Sequence, residues 1–311
     1  MTLNKHIPVL LNETIKSLDI KSNGFYIDCT FGQGGHSKLI LSKLGINGKL
    51  YAIDCDYNSI KIASLIKDNR IKVIHGSFAN VEKYIEKYNI FGKINGILLD
   101  LGVSTLQLND YKRGFSFMKN GLLDMRMDNT IGIPLYKILN KININKLSLI
   151  LKKYGEEKFC YRIAKEIGVY RKKKKIKKTF DLLKILYKSI PNKNNFKHYA
   201  TKSFQALRIF INDELKNIKK ILKLSLSLLS LNGRLSVISF NSLEDRIVKR
   251  FMNKYSSKIN IPKGLPISEE QIKKKSIIKF KIFKKIIPSY NEITNNIKSR
   301  SAILRVAKKI N

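Results

Sequence analysis

Short apolar blocks alternate with amphipathic stretches through the first hundred residues of this chain. Period-two and continuous apolar runs predict strands over 24–29, 49–53, 71–75 and 94–99, and the 3.6-residue patterns between them predict helices near 36–44, 57–67 and 81–88. Ile94 to Leu99 is almost wholly apolar, as a strand covered on both faces requires. Such alternation implies a mostly parallel sheet with helices on both sides. The rhythm stops at about 109, and from there to 211 the pattern gives turns, loops and helices without a strand–helix unit. It resumes with an amphipathic helix over 213–231, stopped by Asn232-Gly233, and a strand from Arg234 to Phe240. Further strand candidates follow at 277–283 and 301–307. The chain therefore divides into the first part of an α/β domain at 1–108, an inserted helical domain at 109–211, and the second part of the α/β domain at 212–311.

The turn after the first strand reads Thr30-Phe31-Gly32-Gln33-Gly34-Gly35-His36-Ser37. Its glycines let the backbone approach a ligand closely, and the N–H groups of the helix that follows favour anionic or polar groups. Twenty residues beyond Gly34 the second strand ends in Asp54, where a nucleoside-binding sheet places a carboxylate on ribose hydroxyls. The fourth strand ends in Asp100-Leu101-Gly102-Val103-Ser104. Dinucleotide oxidoreductases carry G-x-G-x-x-G, whereas this chain reads G-x-G-G-H and has no later pyrophosphate signature. Methyltransferases that use S-adenosylmethionine share the loop and the acidic strand ends and need no pyrophosphate cradle. The fold expected is thus α/β, a Rossmann-like S-adenosylmethionine-dependent methyltransferase sheet with an inserted helical domain. Asp100 reads as a contact to cofactor or target amine, or as a cap for its turn. Phe78 reads as a flank for adenine or as core, and Gln107, in the loop beyond Asp100, as a site residue or plain surface.

Charge changes the picture of the partner. A formal net charge of +38 points to a polyanion, since Lys and Arg displace counterions from phosphates. Fifty Lys against eleven Arg, with abundant Ile and Asn, also fits a drift toward A/T-rich codons. The Arg positions discriminate between the two, because Arg113, Arg126, Arg208, Arg234, Arg246, Arg250, Arg300 and Arg305 sit inside distinctive segments rather than in Lys runs. Lys cannot replace a rigid bidentate fork, so several of these guanidiniums are expected to make defined contacts. Segment 171–178 has seven basic residues of eight and reads as a phosphate-binding arm or a solvated loop. Cys29, Cys55 and Cys160 have no CxxC spacing, which suggests neither a disulfide framework nor a metal site. With no uninterrupted 18-residue apolar run, a soluble, cytoplasmic protein is expected.

The insertion opens with Arg113-Gly114-Phe115-Ser116-Phe117 and Leu123-Asp124-Met125-Arg126-Met127-Asp128, the latter reading as a substrate contact or a half-exposed ion pair. Phe196 to Arg208 mixes stacking aromatics with cations, including His198. If it is helical from about 202, Gln205, Arg208 and Asn212 share one face, while Phe204, Leu207 and Ile211 form the buried stripe. Farther on, Ser242 and Asp245 fit a capping box, and Asn241 stands at the mouth of a strand edge.

These segments together resemble the bacterial ribosomal RNA small-subunit methyltransferase H family. The motifs are TFGQGGHS, DLGVS, RGFSF, LDMRMD, YGEE at Tyr154–Glu157, the FKH…FQALR segment and SLEDRIVKRF, running from His6-Ile7-Pro8-Val9 to Arg300–Arg305. The resemblance implies methylation of N4 of a cytidine of 16S ribosomal RNA in the decoding region, with S-adenosylmethionine as cofactor and the small ribosomal subunit as partner, without membrane or metal. It assigns Gly34, Gly35, His36, Asp54, Phe78, Asp100 and Gln107 to the cofactor. Asp100 and Ser104 become candidates for orienting the target amine, and Arg113, Arg126, His198, Gln205, Arg208 and Asn241 candidates for the RNA. The family usually has Arg at Gln33, Pro at Tyr199 and His at Asn241. Against this stands a non-catalytic RNA-binding assembly factor on a decayed scaffold, which intact Gly34, Gly35, Asp54 and Asp100 disfavour. Oligomeric state, monomer or homodimer, is left open.

Overall fold

The computed structural model describes residues 7–191, 198–256 and 278–311. His6, Phe196, Lys197 and the first residue of the 277–283 strand candidate lie outside that range. The chain forms two compact units, one of residues 1–102 with 215–311 and one of 103–214.

The first unit is built on a seven-stranded sheet, β1 (Phe25–Asp28), β2 (Lys49–Asp54), β3 (Ile71–His75), β4 (Ile94–Asp100), β5 (Leu229–Ser239), β6 (Phe280–Ile282) and β7 (Ile303–Lys309), in the order β3-β2-β1-β4-β5-β7-β6. The first five strands run parallel; β7 is antiparallel to β5 and to β6. Helices α1 (Leu11–Leu18), α2 (Gly35–Lys43), α3 (Tyr57–Ala63) and α4 (Val81–Glu86) alternate with the early strands. Strand residues alternate between two cores. Ile27, Tyr51, Ile53, Ile97 and Leu99 join one cluster, and Tyr26, Leu50, Ala52 and Leu98 join the other. Both faces are therefore buried, as the near-continuous apolar runs anticipated. Strand order reverses between β1 and β4, and open α/β sheets bind ligands at the carboxyl ends beside such a reversal.

Several boundaries differ from the sequence pattern, the strand candidates at 277–283 and 301–307 among them, which form at Phe280–Ile282 and Ile303–Lys309. Helix α3 stops at Ala63 instead of near 67, because Asp68 accepts hydrogen bonds from the Arg70 backbone and guanidinium and draws the chain into a turn. The helix expected to run to residue 231 ends at Leu228, and β5 begins at the next residue. Ile94 pairs with Leu229 but Gly96 with Arg234, so 230–233 forms a bulge turned by Asn232 at φ +67°. The Asn-Gly pair thus shapes a bulge and does not stop a helix.

The second unit is helical: α5 (Thr105–Asn109), α6 (Leu135–Leu139), α7 (Ile144–Gly155), α8 (Cys160–Lys173), α9 (Thr179–Ser189) and α10 (Thr201–Ile211). Its core gathers Leu147, Ile150 and Leu151 of α7, Ile163 and Ile167 of α8, Leu182 and Leu186 of α9, and Phe204 and Leu207 of α10. The first unit resumes through α11 (Glu214–Leu228) and, after β5, α12 (Ser242–Lys254).

Candidate active site

At the carboxyl edge of the sheet, Gly34 caps α2 in a left-handed conformation, φ +78°. A Cβ on Gly34 would meet the Phe31 ring at 2.5 Å, so no other residue fits there without rearrangement. No side chain caps α2, which leaves its first amides for a ligand. Gly32 N–H donates to Asp54 Oδ2 at 2.7 Å and Asp56 N–H donates to Asp54 Oδ1 at 2.8 Å, which locks that carboxylate behind the loop. Burial pushes Asp54 up to about 6, against the pull of those two amides.

Asp100, at the end of β4, lies in a different environment. Its backbone N–H donates to Thr30 Oγ1 at 2.7 Å, which ties the strand end to the glycine loop. The side chain is a quarter exposed, yet Oδ1 is enclosed and has no hydrogen-bond partner. Oδ2 stands 3.8 Å from His36 Nδ1. Burial, then the charges of Asp28 and Glu244, push Asp100 up to about 8. Asp28 itself accepts from the Ser37 hydroxyl at 2.7 Å and the Thr30 amide at 3.1 Å, and burial raises it as well. Three carboxylates thus crowd one edge, an environment that an added positive charge would relieve. His36 is buried, its Nε2 3.2 Å from the Val9 carbonyl, so the ring is held between that carbonyl and Asp100. Phe78 opens a short turn capped by Ser77 and packs against the core around Val81.

Asp28 and Glu244 are the residues that sequence reasoning missed. Asp28 had a signal, since it ends β1 as Asp54 ends β2 and Asp100 ends β4. Glu244 had none. It reads as a first-turn helix acid, yet it is fully buried and accepts from Phe240 N–H at 3.0 Å. The expected capping box of α12 is also replaced. Asn241 is the cap, its Oδ1 accepting from Leu243 and Glu244 N–H at 3.1 and 3.0 Å, while Asp245 binds Arg305 through both oxygens at 2.6 and 3.0 Å.

In the helical unit, Ser104 and Gln107 form a capping box at α5: Ser104 Oγ accepts from Gln107 N–H at 3.2 Å and Gln107 Oε1 accepts from Ser104 N–H at 3.0 Å. Gln107 is buried, not surface. Arg113 donates to the carbonyls of Arg126 and Met127 at 3.0 and 2.8 Å. Arg126 grips both oxygens of Asp124 at 2.7 and 2.8 Å and reaches the Ile131 and Gly132 carbonyls. Arg208 holds Glu214 bidentately at 2.8 and 2.9 Å, Asn212 brackets Met125 and Met127, and Gln205 lies 3.5 Å from the Tyr154 carbonyl. The guanidiniums do make defined contacts, and those contacts are internal. The basic segment is seated too: Lys177 O accepts from Leu123 N–H, Ile176 is buried, and Asp181 accepts from the Lys177 and Lys178 amides. It is therefore no free arm. His198 stacks between Phe117, 4.5 Å away at 13°, and Tyr199, 4.3 Å away at 29°, and Tyr187 meets Tyr199 edge-on at 5.9 Å.

Among the described residues no group of three or more His, Cys, Asp or Glu could hold a metal ion, and no helix is long and apolar enough to cross a membrane. The family model described as MraW methylase family matches residues 3–310. A protein of Buchnera aphidicola from Schizaphis graminum, named Ribosomal RNA small subunit methyltransferase H, is 53% identical over 304 residues, covering 98% of this chain and 97% of the relative. One of the same name from Hamiltonella defensa is 49% identical over 308 residues, 99% of each. Carboxylates gathered beside the glycine loop suit a positively charged sulfonium cofactor, and with a match of this extent the chain belongs to the MraW methylase family: it is an enzyme, a methyltransferase that uses S-adenosylmethionine.

Proposed function

We propose that this chain methylates the exocyclic N4 amine of a cytidine in 16S ribosomal RNA near the decoding centre, acting in the cytoplasm, with Asp100 as the group that orients the amine. The observation that carries the reading is the unpartnered, enclosed Asp100 Oδ1 beside the glycine loop. The relatives' name supplies the RNA, and the 25 Lys and Arg against 9 Asp and Glu in residues 103–214 agree with it.

Bound S-adenosylmethionine supplies an electrophilic methyl group on a positively charged sulfur. The amide groups at the start of α2 and Asp54 would hold the cofactor, and Phe78 would flank it. Positive charge near Asp100 favours its ionised form, opposing Asp28 and Glu244. Ionised Asp100 accepts a hydrogen bond from the cytosine amine and aligns a weak nucleophile whose lone pair is delocalised into the ring. Methyl transfer to that nitrogen would move the positive charge onto it, where ionised Asp100 would offset it. Asp100, again crowded by its neighbours, then takes the proton that the methylated nitrogen sheds. The Ser104 hydroxyl already accepts from the Gln107 amide and is the weaker candidate as acceptor. In the helical unit, the rings of Tyr187 and Tyr199 offer stacking surface for an unpaired base, with His198 packed behind them between Phe117 and Tyr199.

Nucleoside mass spectrometry of ribosomal RNA after incubation with protein and cofactor tests the reading. N4-methylated cytidine is the expected product. Its absence from both free 16S RNA and small subunits, with cofactor binding intact by calorimetry, overturns the reading and restores the assembly-factor alternative.

A further inference from the structure

The helical unit carries a second basic feature away from its ion-paired arginines. A depression of about 620 Å³ opens where the start of α7 meets α8, with Lys141, Lys165, Arg171, Tyr161 and Asn145 in its wall. No carboxylate lines it. Glu166, next to Lys165 in sequence, is turned to Lys188 on α9 at 2.9 Å and so does not neutralise the wall.

The three cations differ in how they are held. Arg171 Nη1 donates to the Leu139 and Ile142 carbonyls at 2.8 and 2.6 Å, which fixes the guanidinium plane. The other edge of its fork, Nε and Nη2, has no acceptor among the described residues. Lys141 and Lys165 are exposed and likewise have no protein partner among those residues. Tyr161 is 62% exposed, an aromatic ring kept in water within reach of the same wall. Helix α7 packs closely on α8 behind the wall: a Cβ on Gly168 would come within 2.7 Å of the Ile144 side-chain tip.

A fixed guanidinium edge, two exposed ammonium groups and an exposed ring match a phosphodiester with an adjoining unstacked base. Concentrated positive charge without counterions also makes anion binding favourable through counterion release. We propose that this depression is a secondary RNA anchor, in which Arg171, Lys141 and Lys165 take a backbone phosphate and Tyr161 stacks on the neighbouring base. The proposal rests on the reading of the chain as an RNA methyltransferase and places a contact on the substrate's flank rather than on its target base.

Filter binding of a 16S RNA fragment across a salt series, using the full chain, tests it with the double variant Lys141→Ala, Lys165→Ala and with Tyr161→Ala. Arg171 is left intact because it braces two carbonyls. The double variant is expected to bind about 10-fold more weakly near 0.1 M salt, with a log–log salt slope shallower by about 2. Tyr161→Ala is expected to cost about 5-fold with no change in slope. Unchanged affinity and slope in the double variant overturn the anchor, and Tyr161-dependent binding of adenosine monophosphate as tight as that of RNA reassigns the depression to a free nucleotide. The measurement reads binding and not methylation. A failed anchor therefore leaves the methyl-transfer reading standing, and a wild type that binds RNA through this wall without methylating it sinks only the latter.

Discussion

At the carboxyl edge of the sheet, Asp100 Oδ1 is left without a hydrogen-bond partner, and the charges of Asp28 and Glu244 both act against its ionised form. In the helical unit, polar groups of the same standing in the sequence are satisfied inside the protein. Arg126 spends its fork on Asp124, Arg208 on Glu214, Arg113 on two carbonyls, and Asn212 on the loop it brackets. A buried ionisable group without its partner costs stability, and a fold retains that cost where a ligand relieves it. A group paired within the fold has no such demand. On the proposed reading Asp100 carries the chemistry, while Arg113, Arg126 and Arg208 brace the helical unit.

The largest test of that contrast is Asp100→Asn. Loss of the carboxylate is expected to lower the methyl-transfer rate by about 100-fold or more, as a single proton-transfer group commonly does. Stability moves the other way. The folded value near 8 exceeds the usual carboxylate value near 4, so between those limits folded protein holds a proton that unfolded protein has released. Wild-type stability without cofactor is therefore expected to fall as pH rises from about 5 to 8, and Asp54, at about 6, adds in the same direction. Melting curves should show Asp100→Asn gaining on wild type across that window. A full rate in the variant, or a gain that shrinks with pH, breaks the contrast on the sheet side.

A middle-sized effect is expected from Arg208→Lys. A point charge cannot span both oxygens of Glu214, and the mostly buried pair should lose about 2 kcal/mol of stability in denaturant unfolding, with cofactor affinity unchanged. Equal stability with a tenfold loss of methylation would instead place Arg208 on the RNA. The smallest effect is expected at Asn241. Asn241→Ala should cost about 1 kcal/mol as a lost cap, and Asn241→Ser, which still caps, should keep activity within about twofold. A severe activity loss in the serine variant would show that the amide also reads the substrate.

Much of this was legible along the chain. Strand alternation, the left-handed Gly34 turn and the acidic strand ends follow from local rules of sterics and period. They located β1 to β4 and the loop to within a residue or two. The helix ends at Ala63 and Leu228 were not legible, because a side-chain turn at Asp68 and a strand bulge at Asn232 overrode the pattern. Glu244 was hidden for a different reason. Its sequence neighbourhood is that of a solvated helix start, and only folding brings it against Asp100.

The sequence by itself determined the α/β order with its helical interruption, the glycine loop, and Asp54 and Asp100 at their strand ends, because φ restrictions and hydrophobic period act over neighbouring residues. Tertiary structure alone decided which polar groups are paired and which are left wanting. Arg208 and Glu214 are six residues apart, but Asp28, Asp100 and Glu244 meet only when distant strands and a helix pack at one edge. Partner choice for a charge depends on burial and distance in three dimensions, and neither is written in the spacing of residues along the chain.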